Sequence, residues 1–74
     1  MSWVSVNRFV KTEKNREEVR EAVDRVAKHW RDVALDLGYD PNDNVNVVEG
    51  DKMTNVAISE ELDATMREEH GDWW

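Results

Sequence analysis

Seventy-four residues and a mass of 8.7 kDa set the scale of one α+β domain, residues 1–74, and leave no room for a second. The 17 acidic and 10 basic residues give a formal charge of −7, which argues against direct nucleic-acid binding, where clustered Lys and Arg must neutralise phosphates. The chain has no cysteine, which removes disulfides and thiolate metal cages, and no run approaches the ~18 apolar residues of a membrane span, so a cytoplasmic protein is expected.

Residues 2–11 alternate loosely, with Val4, Val6 and Val10 on one side and Trp3, Ser5, Asn7 and Phe9 on the other, the period of a strand. Asn15 followed by Glu18 reads as a capping box, in which Asn15 accepts an orphan amide proton and Glu18 reaches back. The helix opened there places Val19, Val23, Val26, Trp30, Val33 and Leu37 on one stripe, flanked by Ala22, Ala27 and Ala34. Gly38 stops it, because glycine accepts the left-handed conformation that closes a helix. The same stripe fits a coiled-coil seam, but without it the hairpin that follows would lack a cover, so packing on the chain's own sheet is expected.

Residues 38–44 hold Gly38, Pro41 and several Asx residues, the composition of a loop. Residues 45–49 and 52–58 favour strands, and Gly50-Asp51 between them suits a type I′ or II′ hairpin. Ser59, followed by Glu60 and Glu61, caps a second helix over residues 60–70, with Ile58, Leu62 and Met66 at fourfold spacing and Gly71 as its stop. The order is βαββα. A right-handed crossover followed by a hairpin gives a three-stranded antiparallel sheet of order 2-3-1. The long helix covers one face of this sheet; the second face calls for the short helix, the terminal tryptophans or a second subunit.

Charge is distributed unevenly along the chain. Residues 1–12 carry Arg8 and Lys11, and residues 13–36 are almost balanced, with Glu21 and Asp24 placed to pair with Arg25 and Lys28. Residues 37–74 hold ten acids against Lys52 and Arg67, a net charge of −8. Their field extends outward by about 8 Å at physiological ionic strength and would steer the chain toward a basic partner. Solubility or adaptation to high salt would account for the same composition.

No catalytic or cofactor pattern emerges. Ser2, Ser5 and Ser59 lack a nearby base, and three glycines do not make a phosphate loop. His29 and His70 have no ligand-spaced partner, and the D-x-N-x-N opening at Asp40 has Val45 where a calcium loop needs glycine. The expectation is therefore a non-enzymatic protein with no metal and no cofactor. It would occupy the basic, nucleic-acid-binding surface of a partner protein, as a nucleic-acid mimic or a phage-type counter-defence inhibitor does. Asp40, Asp43, Glu60, Glu61, Asp63, Glu68, Glu69 and Asp72 would stand in for phosphates, with Trp73 and Trp74 as apolar anchors. The alternative is a homodimer or larger assembly in which Trp3, Phe9, Val48 and the terminal tryptophans bury a shared sheet face.

Overall fold

In the computed structural model, which describes residues 2–71, the elements are β1 (Trp3–Val10), α1 (Arg16–Asp36), α2 (Pro41–Asn44), β2 (Val45–Glu49), β3 (Met53–Ser59) and α3 (Glu60–His70). The sheet has the order β1-β3-β2 with both pairings antiparallel, as the connection argument requires.

A bulge changes which side of β1 faces the core. Ser5 lies opposite Ala57 and Asn7 opposite Val56, so Val6 is an extra residue in the ladder. One inserted residue reverses the alternation beyond it. Val4 and Val6 pack inward as expected, but past the bulge Phe9 joins the core and Val10 is 62% exposed. The expectation that Phe9 lies on the outer face is thereby corrected.

Asn15 immediately precedes α1 as expected, but its side chain closes the turn before the helix and makes no bond into the helix itself. The Thr12 amide donates to Asn15 Oδ1 at 2.6 Å and the Asn15 amide to Thr12 Oγ1 at 3.3 Å. Asn15 Nδ2 also donates to the Val10 carbonyl at 3.1 Å, fastening the end of β1 to the start of α1. At the other end of α1 the Gly38 amide donates to Leu35 O and the Tyr39 amide to Ala34 O, with Gly38 at φ +83°. This is a Schellman closure, and it fixes where Tyr39 enters the core. A Cβ at Gly38 would meet nothing within 4 Å, so Gly38→Ala is expected to cost about 1–2 kcal/mol through backbone conformation alone. A lowered urea midpoint with an unchanged slope checks this.

Two connections depart from the sequence reading. Residues 41–44 form a helical turn rather than open loop, because Pro41 stands at the first helical position, where its missing N–H costs nothing. The hairpin turn is centred on Asp51-Lys52 instead of Gly50-Asp51, since the Gly50 amide donates to the Met53 carbonyl at 2.8 Å. No residue of this turn has a positive φ, so it is not of the primed type. A Cβ at Gly50 would lie 3.1 Å from Met53 O, so a larger residue there would push the turn aside by a few tenths of an ångström.

The core lies on one face of the sheet. Val4, Ile58 and Val45 form one cross-strand row, with Val56 and Val47 in the next, and Val19, Val23, Ala27, Trp30 and Ala34 of α1 are buried on the helix side. Ala27 and Ala34 let the helix backbone approach closely, while Val26, Val33 and Leu37 pack at the margin. Leu62, fully buried, and Met66 of α3 join this same cluster. The opposite face keeps Trp3, Val10, Val48 and Met53 exposed.

Candidate functional site

The connections at one end of the sheet bring acids together from α2 and α3. Asp40 caps α2 by accepting from the Asn42 amide at 2.9 Å, and the Asn44 side chain donates to the Asp40 carbonyl at 2.8 Å. Ser59 Oγ donates to Asn44 Oδ1 at 2.6 Å and accepts from the Leu62 amide at 3.1 Å, so one buried hydroxyl joins α2 to the start of α3. The Tyr39 hydroxyl adds a second link from the end of α1, bonding to the Thr65 hydroxyl and lying 3.5 Å from the Glu61 carbonyl.

These links place Asp40, Asp43, Glu60 and Glu61 at the same end of the molecule, all exposed. None of the four forms an ion pair among the described residues. Glu60 and Glu61 lie in the first turn of α3, where negative charge complements the helix dipole. Glu68 and Glu69 are exposed in the last turns of α3, about 10 Å along its axis, and Glu68 falls on the same side as Glu61.

Asp63 differs from the other acids. It is buried, its Oδ2 accepts from Arg67 Nε at 3.1 Å and its Oδ1 has no partner among the described residues, so it is an internal residue of α3 and leaves the exposed acidic set. The remaining residues of that set, Asp72, Trp73 and Trp74, lie outside the described residues.

A second feature, which the linear reading misses, lies at the other end of the sheet. A cleft of about 480 Å³ opens between the first turns of α1 and the ends of the strands, with Lys11, Arg16 and Arg20 on its rim and Val19, Val23 and Val47 inside. The signal available in sequence was the placement of Arg16 and Arg20 four apart, beside Val19 and Val23 on the helix.

The histidines stay apart from both features. His29 is exposed, with its ring edge against Trp30 at a centroid distance of 5.8 Å, and His70 is exposed in the last turn of α3. Among the described residues no group of His, Asp and Glu is arranged to hold a metal ion, and no helix is long and apolar enough to cross a membrane. The Asp40 to Asn44 segment, with its calcium-loop opening, uses its side chains to build α2 and tie it to Ser59. No family model matches the chain, and no curated protein or solved structure matches it significantly.

Proposed function

We propose that the protein is a non-enzymatic acidic module that docks on a basic surface of a partner protein, one shaped to hold nucleic acid, and blocks it. The observation that carries this reading is the exposed group Asp40, Asp43, Glu60 and Glu61, drawn from two elements to one end and outside any ion pair among the described residues. Carboxylates spaced over such a surface offer anionic acceptors to the Arg and Lys side chains that otherwise contact phosphates. Their field speeds encounter and favours basic partners over acidic ones. Carboxylates across a partner's groove deny it to phosphates, so the module would inhibit by occupancy and need no catalytic group.

The test is retention of proteins from source-cell lysate on the immobilised chain, beside a variant carrying Asp43→Asn, Glu60→Gln, Glu61→Gln and Glu68→Gln. Asp40 is left intact because it caps α2. The reading requires a basic, nucleic-acid-handling protein held at about 50 mM salt, released at about 500 mM, and not held by the folded variant. Equal retention by both forms would overturn it.

A second reading, a homodimer, is favoured by Trp3, Val10, Val48 and Met53, which are exposed together on the outer sheet face. Phe9 packs against the core and is not part of this face. On this reading light scattering gives a dimer mass at micromolar concentration, and Trp3→Ser returns it to that of a monomer. A monomer mass for the unaltered chain contradicts it.

A further inference from the structure

We infer that the cleft between α1 and the strand ends binds a small organic anion. Its carboxylate or phosphate would be held by Lys11, Arg16 and Arg20, and its apolar body would lie against Val19, Val23 and Val47. The volume of about 480 Å³ is that of a small-ligand pocket. Ile58 and Leu62 lie toward the other end of the sheet, and beside the cleft Phe9 of β1 stands opposite Thr54. At this end α1 and β2 offer only valines, over a floor that includes Thr54.

The charges on the rim are placed to receive an anion. Arg16 and Arg20 stand one turn apart on α1 and form no ion pair among the described residues. The Lys11 side chain is only 14% exposed, yet its one ion pair among the described residues is a 3.6 Å contact with the Glu49 side chain, which is 77% exposed. A long contact to a solvated carboxylate is weak. A ligand anion can therefore add to it or replace it, and three cations in a chain of charge −7 then converge on one group.

Asp24 and Glu49 also line the cleft and restrict what enters. Against three cations they leave a net of one positive charge, which suits a single anionic group and disfavours a polyanion such as a nucleic-acid strand. They also supply acceptors for a hydroxyl or amino group on the ligand body. The cleft and the acidic group lie at opposite ends of the sheet, so this inference stands or falls separately from the docking reading.

Titration of the ¹⁵N-labelled protein with phenyl phosphate at constant ionic strength tests it, with inorganic phosphate as the probe lacking an apolar body. Saturating shifts are expected at Lys11, Arg16, Arg20, Val47 and Thr54, with affinity for phenyl phosphate roughly tenfold above that for phosphate. Arg20→Gln, an exposed change that leaves the fold intact, is expected to weaken binding roughly tenfold by removing a charge-assisted hydrogen bond. Lys11→Met, which keeps an apolar stem in place, is expected to weaken it similarly. Shifts that rise without saturation, or that persist unchanged in a folded Arg16→Gln, Arg20→Gln double variant, would overturn the assignment.

Discussion

Trp30→Ala is expected to lower the thermal midpoint of the chain by about 12–40 °C. Trp30 is 5% exposed at the middle of the α1 stripe, with Ala27 and Ala34 one turn to either side, so no neighbouring side chain is large enough to fill the space it would leave. Removing a buried indole costs about 3–5 kcal/mol. A domain of this length holds only about 4–11 kcal/mol in total. The loss therefore takes much of the stability, and circular dichroism on heating reads it directly. A cooperative melt within a few degrees of the unaltered chain would show that the helix packs on the sheet through its alanines and valines alone.

Ser59→Ala is the second large effect, and it connects stability to the proposed site. The Ser59 hydroxyl is 1% exposed and makes two bonds, donating to Asn44 Oδ1 and accepting from the Leu62 amide. Alanine removes the cap of α3, worth about 1 kcal/mol, and strands a buried amide oxygen at a further cost of about 1–3 kcal/mol. The expected total is about 2–4 kcal/mol by urea denaturation. Because the two residues share one bond, Asn44→Ala should cost less in the Ser59→Ala background than in the unaltered chain. Additive losses would mean that the Ser59–Asn44 bond contributes no energy, and would leave Tyr39 as the link between the segment carrying Asp40 and Asp43 and the helix carrying Glu60 and Glu61.

The contrast between what the sequence discloses and what it conceals follows from the range of each interaction. The α1 stripe, the Gly38 closure and the Ser59 cap depend on neighbours within a turn, and all three stand where periodicity and residue type put them. The antiparallel order followed from the helical crossover and the hairpin that connect the strands. The bulge at Val6 left no trace, because both possible alternations of β1 place apolar residues inward, and only pairing with β3 chooses between them. Asn15 was placed correctly at the start of α1, but its side chain turns back to the Thr12 amide and the Val10 carbonyl, a contact that joins the helix start to β1 and lies outside the helical pattern.

The candidate site divides in the same way. Charge counting located the excess of acid in the second half of the chain, and contacts through Asn44, Ser59 and Tyr39 then gathered part of it at one end. Counting could not separate Asp63 from Glu60 and Glu61, since burial depends on which side of α3 meets the core. The Arg16 and Arg20 cleft required the helix, two strand ends and Lys11 to be placed together, a tertiary arrangement that no single stretch of sequence encodes.

The central claim, that negative potential is concentrated at the end carrying Asp40, Asp43, Glu60 and Glu61, is tested most directly with a short oligolysine titrated into the ¹⁵N-labelled protein. The account predicts that amide shifts concentrate at residues 40–43 and 60–61 and fade at about 500 mM salt, where screening shortens to about 4–5 Å. Shifts spread equally over Glu17, Glu18 and Glu21 of α1 would contradict it, because those acids lie among the balancing bases of that helix.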